Sequence, residues 1–277
     1  MTSRILNVLR CPVCGAQGTV SEDQKSFFCC GLKRHSFDFA RSGYLNLCLK
    51  NKEGDSKDAV RGRSLFLESG YYQVLSDEIN RMLDELKVTS VLDAGCGEGY
   101  YTNRMAASER AVFGADLSRH GIDHAAKTAK QLSNGAGFAV ASLYELPVED
   151  ASFDAVANLF APCAEEEFLR VLRDGGYLIL VGAGERHLMG LKSLLYDDPY
   201  LNPGRNDLPT KMKLCEKHRI HQTISVKGKT AIEALFSMTP YYWRTSERDR
   251  AKLDHVNELE TEIDFDIFLY RKELQQS

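Results

Sequence analysis

The stretch Val91-Leu92-Asp93-Ala94-Gly95-Cys96-Gly97-Glu98-Gly99-Tyr100-Tyr101 decides the fold. Val91 to Ala94 is a short apolar run that breaks into glycines, as a buried parallel strand does where it gives way to a helix. Gly95, Gly97 and Gly99 let the chain turn tightly and let a ligand approach the backbone. In an open α/β sheet, small molecules bind beyond the carboxyl ends of the strands, where this turn lies. The rival reading is the nicotinamide fingerprint G-x-G-x-x-G. Here the spacing is G-x-G-x-G, and Asp93 precedes the first glycine by two residues. A carboxylate at that point would repel a pyrophosphate and attract a cation. The methionine part of S-adenosylmethionine offers an ammonium with a sulfonium nearby.

Working outward, strand and helix alternate. Helices are expected near 98–107, 118–132 and 164–173. Strands are expected at 111–115, 137–140, 153–159 and 176–182. That alternation predicts a parallel sheet covered on both faces. A helix near 187–196, a strand near 219–226, a helix near 230–237 and a strand at 263–270 complete it. Ile263, Phe265, Ile267 and Leu269 alternate strictly, which predicts a final antiparallel strand with one face buried. Before the glycine turn, Leu75, Ile79, Leu83 and Leu86 recur at helical spacing.

Two further segments point to the same ligand. Asp116, in Gly114-Ala115-Asp116-Leu117-Ser118, ends the next strand, where a carboxylate accepts hydrogen bonds from ribose hydroxyls. An N-cap for the following helix is its other reading. Ser142 and Leu143 follow a strand and stand where an adenine edge would lie. The strand 153–159 opens onto Asn158-Leu159-Phe160-Ala161-Pro162-Cys163, in which Phe160 and Pro162 can shape a slot for a flat nucleobase; a core aromatic is the alternative for Phe160.

The amino terminus carries separate chemistry. Cys11-Pro-Val-Cys14 presents two thiolates at the separation of one tetrahedral zinc. Cys29, Cys30 and His35 follow at the distance of a zinc ribbon. A site of Cys11, Cys14, Cys29 and His35 is favoured, with Cys30 the alternative third thiolate. A redox reading would want a strand–helix–strand context around the C-x-x-C, and that is absent. Residues 1–50 are expected to form the ribbon, 51–70 a polar linker and 71–277 the catalytic domain.

The chain has 277 residues, 43% of them hydrophobic and 27% charged, enough for a packed core. No apolar run nears the ~20 residues of a membrane span, and Met1 to Cys14 lacks the pattern of a secretion signal. The expected location is the cytoplasm, where thiols stay reduced. The net charge of −4 is uneven. Residues 1–70 hold 11 Lys and Arg against 7 Asp and Glu, and the remainder 24 against 32. A basic end on an acidic body suits a polyanion partner.

The glycine turn, Asp116 and the loop at 158–163, in this order, resemble the class I S-adenosylmethionine-dependent methyltransferases. Over nearly its full length the chain resembles the bacterial 23S rRNA (guanine-N1)-methyltransferases. The residues that carry this are CPVC (11–14), RHSFDFARSGYLNL (34–47), GYYQVL (70–75), VLDAGCGEGYYT (91–102), FAPC (160–163), RHLMGLKSLLY (186–196) and MTPYYWR (238–244). One departure is the spacing between the third zinc cysteine and His35, which exceeds the usual three residues. The resemblance implies a Rossmann-like methyltransferase sheet with a small zinc ribbon, and methyl transfer to N1 of a guanine in a 23S rRNA hairpin loop. It places Tyr72, Gly97, Glu98 and His187 at the cofactor. It also implies RNA surfaces on the ribbon and on 205–229, which holds Arg205, Lys211, Lys213, Lys217, Arg219, Lys227 and Lys229. Tyr44, Tyr241, Tyr242 and Trp243 are candidates for base stacking. No residue is named as the base for N1. A small-molecule methyltransferase and a non-catalytic RNA-binding protein are the alternatives, and a homodimer is left open.

Overall fold

The computed structural model describes residues 1–50, 54–106 and 110–273. Helix α1 (Ser3–Val8) leads into strands β1 (Gly18–Val20), β2 (Ser26–Cys29) and β3 (Ser36–Asp38), which pair antiparallel as a small separate sheet. Then come β4 (Leu45–Asn46), α2 (Lys57–Glu68), α3 (Gln73–Glu85), β5 (Ser90–Ala94), α4 (Tyr100–Met105), β6 (Ala111–Asp116), α5 (Arg119–Leu132) and β7 (Gly137–Val140). The chain continues through β8 (Phe153–Leu159), α6 (Glu165–Val171), β9 (Leu172–Ala183), α7 (Met189–Leu195), β10 (Lys213–Lys227), α8 (Lys229–Ser237), the short α9 (Glu247–Arg250) and β11 (Glu258–Arg271).

Eight strands form the main sheet in the order β10-β11-β9-β8-β5-β6-β7-β4. Strands β4 to β9 are mutually parallel, while β11 runs antiparallel between β9 and β10. Side chains alternate across the sheet with period two. Val91, Val112, Ala155, Ile179 and Val181 face one layer with α3, α7 and α8. Leu92, Ala94, Phe113, Val156, Leu178 and Leu180 face the other, with α1 and α6. From β5 the chain steps to β6 on one side and later to β8 on the other. The crevice therefore opens at the end of β5, the switch point at which such sheets bind ligands.

Three expectations need correction. Residues 57–68, read as linker, form α2; residues 51–53 lie outside the described residues. Ser56 caps this helix by accepting from the Ala59 N–H, and Val60, Ser64, Phe66 and Leu67 are buried. Gly62 sits inside this helix. In the structure it lets α2 lie against α8, since a Cβ there would fall 2.1 Å from Ser237 Oγ. Second, the amino-terminal 50 residues do more than form a ribbon, because they also pack on the main sheet. Strand β4 pairs with β7 on the edge of the main sheet, and Ile5, Leu9, Phe27, Leu45 and Leu47 share one core with Phe113 and Val156. Third, β11 is covered on both faces: Asp264, Phe268 and Tyr270 are buried along with Ile263, Phe265, Ile267 and Leu269.

Candidate functional site

At the end of β5, Asp93 is 1% exposed. Thr102 Oγ1 donates to its Oδ2 at 2.6 Å, while Oδ1 has no partner. A buried carboxylate oxygen without a donor is costly and marks a place where a ligand's N–H fits. Gly95 follows at φ +87°, and a Cβ there would meet Ala161 Cβ at 2.4 Å, so the loop after β8 closes directly over this turn. The Gly97 N–H donates to Asp116 Oδ2 at 3.0 Å and the Ser118 N–H to Asp116 Oδ1 at 2.7 Å. Asp116 thereby ties the glycine turn to β6 and still has lone pairs free. Ser118 Oγ, not Asp116, caps α5 by accepting from the Gly121 N–H.

This end of the cavity is acidic. Burial pushes Asp93 up to about 7, helped by Asp116 and Glu98. Burial also pushes Glu98 up to about 6 against the pull of Arg63. Asp116 is raised by burial, opposed by its two backbone N–H donors. Arg63 on α2 donates to Glu98 Oε2 at 3.2 Å and pairs with Asp55. Four carboxylates thus face a single guanidinium, and a cationic ligand would relieve the imbalance. Sequence reading missed Arg63 because its segment was assigned to a linker; its one usable signal was the neighbouring GYYQVL motif. Arg63→Ala should cost roughly 3–5 kcal/mol of stability at pH 8 by leaving Glu98 charged and unpaired. Glu98 would then have a folded pKa raised further above its unfolded value. The cost should therefore shrink as pH falls through the folded pKa, which denaturant titrations at pH 8 and pH 5 would show.

The opposite wall is aromatic. The Asp264 N–H donates to His187 Nδ1 at 3.2 Å, so the ring proton belongs on Nε2, which lies 3.0 Å from Tyr72 Oη. Tyr72 accepts that proton's hydrogen bond and keeps its own hydroxyl hydrogen to donate. Burial holds His187 down to about 4, hence neutral, and holds Tyr72 well above the usual phenol range. Phe160 has φ +57° and is 43% exposed, with its ring 6.5 Å from that of His187 in a stacked orientation. A phenylalanine in the left-handed region stores strain, which persists where surrounding contacts enforce it. Here Asn158 Nδ2 donates to Ala94 O and Pro162 O, and Arg205 donates to Val181 O and Ala161 O. Asp207 pairs with Arg205 at 2.7 Å and accepts the Cys163 N–H at 2.8 Å.

Between these walls lies a cavity of about 900 Å³. Tyr72, Asp93, Gly95, Gly97, Glu98, Asp116, Phe160, Pro162 and His187, all singled out in the sequence, line it together. Three others do not. Gly99 packs against Ala125, where a Cβ would lie 2.5 Å from Ala125 Cβ, and it starts α4. Ser142 faces a different hollow, shared with Cys11 and Pro12 of the ribbon. Leu143 is buried behind Gly95. The chain after β7 doubles back, bridging Ser142 to Glu145.

The ligand atoms of Cys11, Cys14, Cys29 and His35 all lie within 4.8 Å of one another. Cys14 Sγ is 3.8 Å from Cys29 Sγ, and His35 Nδ1 is 3.5 Å from Cys11 Sγ and 3.3 Å from Cys29 Sγ. A tetrahedron with Zn–S of about 2.3 Å and Zn–N of about 2.0 Å has edges of ~3.8 Å and ~3.5 Å, so the four groups fit zinc. Cys30 is exposed and outside the cluster.

Of the seven cations in the basic segment 205–229, six are paired and Lys213 has no carboxylate partner among the described residues. Arg205 braces the loop after β8, as described. Lys217 pairs with Asp266, Arg219 with Asp264, Lys227 with Glu258 and Lys229 with Asp254, at 3.5, 2.7, 3.5 and 2.9 Å. Lys211 pairs with Glu166. Strand β11 carries five carboxylates opposite β10, which the segment's own composition did not reveal.

Two family models match: one described as "RlmA, N-terminal" over residues 9–53, and one as "Methyltransferase domain" over residues 91–176. The chain is 30% identical over 204 residues to the 23S rRNA (guanine(748)-N(1))-methyltransferase of Streptomyces fradiae, covering 70% of each chain. It is 29% identical over 281 residues to YxjB of Bacillus subtilis (strain 168), provisionally named a 23S rRNA (guanine-N(1)-)-methyltransferase, covering 96% of this chain and 98% of that one. A solved structure titled "Conversion of a Disulfide Bond into a Thioacetal Group during Echinomycin Biosynthesis" shares the fold with TM-score 0.50 and 18% identity, over 72% of this chain and 82% of that one. None of the described helices is long and apolar enough to cross a membrane.

Proposed function

Because the chain belongs to the 23S rRNA (guanine-N1)-methyltransferases, we propose that it transfers a methyl group from S-adenosylmethionine to N1 of a guanine in a 23S rRNA hairpin loop, working in the cytoplasm where that RNA is. The observation that carries the donor half of this reading is the unpartnered Asp93 Oδ1 at the mouth of the glycine turn. When bound, S-adenosylmethionine supplies a methyl group activated by its sulfonium. Asp93 would take the donor's ammonium, Gly95 and Gly97 its backbone approach, and Asp116 its ribose hydroxyls. Glu98 and Asp116 add the negative field that favours a cation over its neutral product.

The acceptor half rests on the aromatic wall. Phe160 and Pro162 offer a slot at the carboxyl end of β8 that a base can enter only after leaving its stack. The Tyr72 hydroxyl, freed as a donor by His187, faces the same cavity and would orient whatever polar edge reaches it. Neutral His187 has both nitrogens committed, so it holds Tyr72 in place rather than removing a proton. Cys11, Cys14, Cys29 and His35 would hold one structural zinc, a closed site with no position left for chemistry.

The direct test is incubation of unmodified 23S rRNA with enzyme and labelled donor, followed by reverse transcription. N1 methylation blocks base pairing, so one new stop in a hairpin loop is expected, coincident with label on the RNA. Label without a stop would point to another atom, and no label on RNA would remove the reading.

A further inference from the structure

We propose that the RNA docks on the cavity rim formed by residues 240–250, with Trp243 stacking on a base and Arg244 taking a phosphate. This rests on the RNA reading above and relocates the contact from the segment that the sequence pointed to. On β10, Lys217, Arg219 and Lys227 are occupied by carboxylates of β11, as are Lys211 and Lys229 by other acids, which leaves Lys213, at the far end of the strand, as the segment's one cation without a carboxylate partner among the described residues. A phosphate would have to displace those partners. The rim differs. Pro240, Tyr241 and Arg244 line the cavity itself. Arg244 and Arg248 are exposed and have no carboxylate partner among the described residues. Arg250 lies over the Tyr242 ring at 4.8 Å and likewise pairs with no carboxylate there. Within the rim the three arginines stand against two acids, Glu247 and Asp249, and Asp249 is paired with Lys252 at 2.9 Å.

The aromatic evidence is independent of the charge. Trp243, the chain's one tryptophan, is 77% exposed. It stands in the chain between Tyr241 and Arg244, which line the cavity, so its open ring face is placed next to the site for stacking on an unpaired base. Of the four aromatics considered for stacking, Tyr44 and Tyr241 are buried, and Tyr242 is half-covered by Trp243 and Phe236. The rim is also built to stay in place. Lys192, fully buried, donates to Tyr200 O and Asn202 Oδ1 at 2.8 and 2.7 Å, and Tyr241 Oη donates to the same Asn202 oxygen at 3.0 Å. Exposed Trp243 and Arg244 therefore project from a rigid wall, beside the cavity that holds Phe160.

The test compares Trp243→Ala, Trp243→Phe, Arg244→Ala and Lys227→Ala on a 23S rRNA hairpin fragment. Each is assayed for KM of RNA, salt dependence of RNA binding, and donor affinity by calorimetry. Trp243→Ala should raise the RNA KM about tenfold, and Trp243→Phe should restore most of it. Arg244→Ala should lower the slope of log K against log salt by about one. Donor affinity should stay unchanged in the two Trp243 variants and in Lys227→Ala, and Lys227→Ala should behave as wild type. Rim variants with wild-type RNA KM and salt slope would overturn the docking surface while leaving the methylation reading intact. A wild-type protein that shows no salt-dependent RNA binding would overturn both.

Discussion

Asp93→Asn should cost this enzyme its methyl donor while making the ligand-free protein more stable. The carboxylate is buried, with one oxygen bonded to Thr102 and the other bonded to nothing. Removing one partner of a buried charged contact costs about 2–5 kcal/mol of binding. Donor affinity should therefore fall by roughly 100-fold or more at pH 8. Stability should move the other way. Burial raises the folded-state value of Asp93 to about 7, above the unfolded value of 3.8. A raised carboxylate destabilises the fold where it is ionised. That cost is full above pH 7 and disappears as pH falls through 7 toward 3.8. The amide carries no such charge, so the variant's gain should be a few kcal/mol at pH 8 and small at pH 4. Calorimetric donor titration and denaturant unfolding at the two pH values check both halves. In the wild type, donor affinity should weaken as pH drops below 7. A variant that keeps wild-type donor affinity would show that Asp93 is not the ammonium's partner.

The second large effect concerns the metal. Stripping zinc, or replacing Cys14 with serine, should unfold the ribbon and abolish methylation of RNA while leaving donor binding within about twofold of wild type. Structural zinc contributes an apparent ~10–16 kcal/mol in zinc-finger peptides. The small sheet β1–β3 reaches the shared core mainly through Phe27, with Phe37 at its side, so the zinc has to hold the rest of it. The glycine turn joins β5 to α4 and is tied down by Asp116 of β6 and Arg63 of α2, and none of these elements contains a zinc ligand. Zinc release with a colorimetric chelator, hydrogen exchange over residues 11–38 and donor calorimetry would separate the two effects. Full RNA methylation by zinc-free protein would sink the idea that the ribbon serves the RNA.

Much of the sheet was legible because its signals are local. The apolar runs at 91–94, 137–140 and 153–159 and the glycine turn each lie within a few residues. Cys11, Cys14 and His35 could be read from spacing, and the choice of Cys29 over Cys30 settled only when the hairpin β1–β2 had its register. What escaped the sequence was long-range. Helix α2 hid in a polar stretch read as linker, and its close approach to Ser237 at Gly62 is a contact 175 residues away. Arg63 was lost with it. The cations on β10 looked free because their partners sit on β11, some forty residues further along. Ser142 and Leu143 were placed by the order of strands alone, and the tight turn that bridges Ser142 to Glu145 after β7 has no signal in that order.

The two-residue strand β4 has a consequence out of proportion to its length. It covers the flank of β7, whose four residues are all buried. A protein shortened to begin at Ser56 would keep every group of the donor cavity beyond Asp55, yet it would lay β7 bare as an unpaired apolar border. Borders of that kind recruit other chains and drive aggregation. Exchange of the amino-terminal segment between relatives would therefore have to carry the leucines at 45 and 47 with it, which ties the inheritance of the metal module to that of the catalytic body.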